Sequence, residues 1–146
     1  MDLKEEEILG DSIKTHWYYL TKGRAMRDML RHAKAKTLID VGAGSGVFSR
    51  QLLDIGAYRG ATCIDPNYAE EKDEIYNGKP LNFRRSYEGP AYRLALMMDV
   101  LEHVDDDVGL LREYAAKLDK NGYILITVPA FQCLWSGHDV FLEHRR

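Results

Sequence analysis

A doubly wound α/β fold on a mainly parallel sheet of about five strands is what this sequence predicts, and three observations carry the expectation. Short apolar runs, partly β-branched, alternate with segments whose apolar residues recur every three or four positions. The first of those runs stops at a glycine cluster, as a buried parallel strand does. And 146 residues at 45% hydrophobic content fit a single compact domain, within the range of roughly 100–200 residues that one core supports.

Residues 1–35 read as an N-terminal helical cap. Trp17, Leu20 and Arg24, then Met26, Met29 and Leu30, stand at helical intervals with Lys22, Arg27 and Arg31 between them. Residues 36–146 form the βα core of the same domain. Thr37-Leu38-Ile39-Asp40-Val41 is the first strand; Phe48, Leu52 and Leu53 mark a helix that ends at Gly56; Ala61-Thr62-Cys63-Ile64 is the second strand, closing at Asp65-Pro66. Residues 68–76 read as a further helix stopped by Asn77-Gly78, and 81–84 as a short third strand. Leu94-Ala95-Leu96-Met97-Met98 ends at Asp99. Asp105, Asp106 and Asp107 then supply the cap and first-turn carboxylates of a helix carrying Val108, Leu111, Tyr114, Ala115 and Leu118. Asn121-Gly122 is expected to end that helix and 123–128 to be the last strand, closed by Pro129. In such a sheet ligands bind beyond the carboxyl ends of the strands, so the residues just after each strand are the informative ones.

Composition excludes several classes. A formal net charge of −3 offers no bulk attraction for nucleic acid. The acidic start lacks the basic and then apolar pattern of a secretory signal, and no apolar run approaches the ~20 residues of a membrane helix, so a cytoplasmic protein is expected. Cys63 and Cys133 lie in or beside apolar stretches with no Cys/His cluster, and read as packing residues rather than metal ligands.

Asp40-Val41-Gly42-Ala43-Gly44-Ser45-Gly46 leaves a strand and opens a helix. Alternate glycines let the loop take positive φ and bring its backbone close to a ligand. A dinucleotide fingerprint would place a small third residue where Val47 stands, which disfavours a pyrophosphate site. Asp65 ends the second strand about two dozen residues on, where a carboxylate can accept both ribose hydroxyls.

Asp-x-Gly-x-Gly-x-Gly resembles motif I of the class I S-adenosylmethionine-dependent methyltransferases. Met97-Met98-Asp99-Val100-Leu101-Glu102-His103-Val104 is similar to the segment after their fourth strand. Val128-Pro129-Ala130-Phe131, Leu134-Trp135-Ser136, His138-Asp139 and His144-Arg145-Arg146, with His16-Trp17-Tyr18 near the start, resemble the bacterial type 11/12 subfamily. Glu143 departs from the pattern, since a glycine is common there. The resemblance implies a Rossmann-like methyltransferase sheet. It implies S-adenosylmethionine as cofactor and S-adenosylhomocysteine as product. It also implies cofactor contacts from Asp40, which helps hold the methionine amino group directly or through water, and from Gly42, Ala43, Gly44, Gly46, Asp65, Pro66, Asp99 and Val100. Arg85-Ser86 stands where the family often contacts the adenine amine, without the expected acidic residue. Complete members have seven strands, so the chain is expected to be truncated, with the C-terminal hairpin missing and the edge of 123–128 covered by a partner, a second copy among the candidates.

The implied reaction is methyl transfer to an unidentified small-molecule or lipid- or sugar-linked acceptor, with alignment of the reactants carrying much of the catalysis. For a hydroxyl or amine acceptor, His138 and His144 are the candidate bases, and Trp17, Tyr18, Phe131 and Trp135 the candidate apolar walls. Glu102 and His103 read as a pair that fixes their loop. The competing readings are a non-catalytic cofactor-binding fragment and a nicotinamide-dependent oxidoreductase.

Overall fold

A computed structural model describes residues 10–129 together with Gly137 and Val140. A 3-10 turn over Gly10–Lys14 leads into α1 (Trp17–Leu30), followed by β1 (Thr37–Val41), α2 (Val47–Asp54) and β2 (Gly60–Ile64). Next come β3 (Lys72–Tyr76), β4 (Lys79–Arg84), β5 (Tyr92–Met98), a 3-10 turn at Leu101–His103, α3 (Asp107–Ala116) and β6 (Leu118–Thr127). The strands form one sheet in the order β3-β4-β2-β1-β5-β6. All neighbouring pairs are parallel except β3 with β4.

Alternation along the strands divides the apolar side chains between two layers. Leu38, Leu94 and Leu96 face α1 and α2, packing with Tyr19, Met26, Phe48, Leu52 and Leu53. Ile39, Val41, Ala95 and Met97 face the other way, toward Tyr114 of α3. Helix α1 crosses α2 at Gly23, where a Cβ would lie 1.7 Å from Gln51 Oε1, so a side chain there would displace the Gln51 amide. Gln51 Nε2 donates to the carbonyl of Tyr19 at 3.2 Å, and Arg27 donates to Gln51 Oε1 at 3.2 Å. Asp106 caps α3 by accepting the N–H of Gly109 at 2.8 Å, as the carboxylates of this stretch predict.

The sheet corrects three expectations. It has six strands, because 72–76 is not helical: β3 pairs antiparallel with β4 through a turn at Asn77 (φ 49°) and Gly78 (φ 74°). Two successive residues of positive φ are the two-residue hairpin turn that matches strand twist, and an Asn-Gly pair favours it over a helix stop. Helix α3 ends at Ala116, before Asn121-Gly122. Strand β6 already begins at Leu118 and loses register with β5 over 119–122, where Asn121 is left-handed (φ 62°). Finally, the connection from β4 to β5, which must pass β2 and β1, is made by residues 85–91 without a helix. Tyr87 of this link packs against Tyr92 and the α3-side core. Among the described residues β6 is an edge strand, and no helix is long and apolar enough to cross a membrane.

Candidate functional site

Three strand ends meet at one rim. Val41 is level with Ile64 on one side and Met97 on the other, so the residues that follow β1, β2 and β5 emerge together. Gly42, Gly44 and Gly46 have φ of 64°, 50° and 73°, a conformation that a side chain disfavours. The turn is pinned to its neighbour strand: the N–H groups of Gly42 and Ala43 both donate to the Ile64 carbonyl, at 2.7 and 3.2 Å. Gly46 begins α2 beneath the turn, and a Cβ there would lie 2.9 Å from Cys63 Sγ. A Cβ at Gly42 would lie 2.7 Å from Cγ2 of Val100, so the turn after β5 abuts the glycine loop.

Asp40 sits under the loop. It is 1% exposed and accepts the Ser49 hydroxyl, from the first turn of α2, at 2.8 Å. Burial pushes its carboxyl up to about 6, against the lowering by the Ser49 hydrogen bond. The same burial, with Asp40 close by, holds the Cys63 thiol in its neutral form far above the usual range, in keeping with a packing role. Asp65, at the end of β2, is also buried, and its Oδ1 accepts the N–H of Asn67 at 3.0 Å. Pro66 beside it is exposed. Tyr68 donates its hydroxyl to the carbonyl of Gly44 at 2.6 Å, tying the loop after β2 to the glycine loop.

The end of β5 is fixed by remote side chains. Asp99 has a φ of 56° and donates its N–H to the carbonyl of Thr127 at 3.1 Å. Its Oδ1 accepts the Thr127 hydroxyl at 3.2 Å, and its Oδ2 accepts the Tyr18 hydroxyl at 2.8 Å and an ion-paired hydrogen bond from Lys22. Helix α1 is thereby fastened at the rim as well as at Gly23.

The predicted cofactor residues Asp40, Gly42, Ala43, Gly44, Gly46, Asp65, Pro66, Asp99 and Val100 therefore occupy three adjoining strand ends. Arg85 belongs elsewhere: its Nε donates to the carbonyl of Tyr68 at 2.8 Å and its guanidinium to that of Ala69, so it braces the β2–β3 connection. Sequence reasoning missed Ser49, Thr127 and the pairing of Lys22. A small hydroxyl on the first turn after a glycine loop was the available signal for Ser49. Among the described residues, Ser45 Oγ is buried in the loop without a hydrogen-bond partner, and no group of His, Cys, Asp and Glu could hold a metal ion. The candidate bases His138 and His144 lie outside the described residues, as do Phe131 and Trp135.

A family model described as a methyltransferase domain matches residues 16–144. The ubiquinone biosynthesis O-methyltransferase of Paramagnetospirillum magneticum is 31% identical over 104 residues, covering 66% of this chain and 42% of that protein. DesVI of Streptomyces venezuelae superposes with a TM-score of 0.62 at 13% identity, over 93% of this chain and 61% of its own. The methyltransferase domain of a bacterial protein named CtHen1-CN gives 0.59 at 19% identity, over 85% and 74%. The chain thus spans less than half of the curated relative, and the structural likenesses establish a shared fold.

Proposed function

The chain belongs to the class I S-adenosylmethionine-dependent methyltransferase family, and from that premise we propose that it binds S-adenosylmethionine and serves methyl transfer to a small-molecule or lipid- or sugar-linked acceptor. The observation that carries this reading is the row of three left-handed glycines at the end of β1 beside the buried carboxylate of Asp65 at the end of β2. The residues fit the cofactor. The glycines leave backbone surface open to close approach, Ser45 offers a buried hydroxyl lacking a partner, and Asp65 has a second oxygen for ribose hydroxyls beyond the one given to Asn67.

When bound, S-adenosylmethionine supplies a methyl group on a cationic sulfur, open to attack by a lone pair of the acceptor. Gly42, Ala43, Gly44 and Gly46 would line the methionine and ribose side, Asp65 would hold the ribose, and Pro66, Asp99 and Val100 would flank the ligand. Asp40 is a positioning residue in this scheme, because its bond to Ser49 fixes the start of α2 beneath the loop. Orientation alone can contribute roughly 7–11 kcal/mol, so no covalent group is required of the protein. For a hydroxyl or amine acceptor, His138 or His144 would take the proton. A second copy of the chain against β6 is the partner proposed for that edge.

Heat released on titration of the chain with S-adenosylhomocysteine, and separately with NADH, tests the proposal. Binding of the former alone is expected, lost in Gly44→Val and weakened about 10- to 100-fold in Asp65→Ala, the effect of removing hydrogen bonds to a charged group. Binding of NADH instead would overturn it.

A further inference from the structure

Lys22 is absent from the predicted site, yet it carries the positive charge that pairs with a rim carboxylate. Its ammonium contacts Asp99 Oδ2, donates to the Tyr18 hydroxyl at 2.9 Å, and lies 5.0 Å from the centre of the Tyr18 ring. Lys22 and Asp99 side chains are each only 18% exposed, so water screens the pair less than it would a surface pair. Its position is fixed from both sides. Helix α1 is held at Gly23 by the close crossing with Gln51, and Asp99 is held in its left-handed conformation by Thr127. The Asp99-Val100 turn in turn touches the glycine loop through Val100 and Gly42.

We propose that Lys22 sets the net charge of the cofactor site, and with it how strongly the site distinguishes S-adenosylmethionine from S-adenosylhomocysteine. The inference rests on the cofactor reading above. The two ligands differ by one methyl group and one positive charge: the sulfur is cationic before transfer and neutral after it. Without the Lys22 charge, the Asp99 carboxylate, still hydrogen-bonded to Thr127 and Tyr18, would favour the cationic ligand more strongly. Paired with Lys22 it is largely neutralised, so the advantage of substrate over product is moderated. Lys22 does this by charge at a fixed place, which makes it a specificity-determining residue rather than a catalytic one.

Dissociation constants of both ligands, measured by calorimetry on the wild-type chain and on Lys22→Gln, Lys22→Met and Lys22→Arg, test this. Gln keeps a hydrogen-bond donor without the charge, so it separates the electrostatic effect from loss of the contact. In Gln and Met the ratio of the S-adenosylhomocysteine constant to the S-adenosylmethionine constant is expected to rise about three- to tenfold, the scale of one partly screened unit charge at the site. Arg is expected to restore the wild-type ratio. An unchanged ratio, with both ligands weakened alike, would overturn the inference and reduce Lys22 to a fastening of α1. If the wild-type chain bound neither ligand, the cofactor reading would fall first and the inference with it.

Discussion

At the end of β1 the chain turns through its own backbone: Gly42, Gly44 and Gly46 adopt left-handed angles, and the loop bonds to the adjacent strand through Ile64. At the end of β5, one strand away, Asp99 adopts a left-handed angle without being glycine and is held by Thr127, Lys22 and Tyr18, which are 28, 77 and 81 positions distant in sequence. The first turn is specified by residue type within seven consecutive positions, 40–46. The second is specified by what two other elements, α1 and β6, bring to it. A rim with two such parts has one half that tolerates few substitutions in place and one half that answers to changes far along the chain.

The largest effect should come from the backbone-built half. Gly46→Val would force a β-branched residue to a φ of 73° with its Cβ against Cys63, and should lower unfolding stability by about 3–4 kcal/mol in urea titration. A loss under about 1 kcal/mol would show that the loop adapts as readily as the β5 turn.

Beneath the same loop, Asp40 makes stability depend on pH. Its folded value of about 6 lies above the ordinary aspartate value of 3.8, so the folded state holds the proton more tightly. The sign follows: the contribution is present in full below 3.8 and is lost as pH rises through about 6, a span of about 3 kcal/mol. Asp40→Asn should flatten the urea-derived stability profile across that window; a profile that still falls equally would place the dependence on another group.

The two halves meet at Gly42 and Val100, and there they should couple. Gly42→Ala is expected to cost about 2 kcal/mol, and Val100→Ala, by removing the methyl groups that the new Cβ would strike, should return about 1 kcal/mol of it in the double variant. Strict additivity would mean that the turns are independent. The smallest effect is expected for Thr127→Val, which keeps the side-chain shape but removes the hydroxyl bonded to Asp99, at about 0.5–1.5 kcal/mol.

This division also explains what could be read from the chain. Strands β1, β2 and β5 were legible because each buries both faces and so appears as an apolar run, as in Leu94-Ala95-Leu96-Met97-Met98. Strand β3 was not, because an edge strand with charged Lys72, Asp73 and Glu74 lacks that run, and Asn77-Gly78 serves equally as a helix stop or a hairpin turn. The same ambiguity at Asn121-Gly122 displaced the end of α3. In the site, the glycine loop and Asp65 were legible since their chemistry is local. Thr127 and Lys22 were not: periodicity assigns one to a strand end and the other to a polar helix face, and only the folded topology brings both to Asp99.

The parallel pairing of β1 has a kinetic consequence. Thr37 pairs with Gly60, whereas Ile39 must find Ala95, much farther along the chain, before β5 can dock. Closing the longer loop costs more chain entropy, so β1, α2 and β2 are expected to assemble as the earlier unit and β5 with β6 to join it later. The glycine loop would then take shape before Asp99 reaches it. A nascent chain could present half of the rim while Lys22 still lacked its carboxylate.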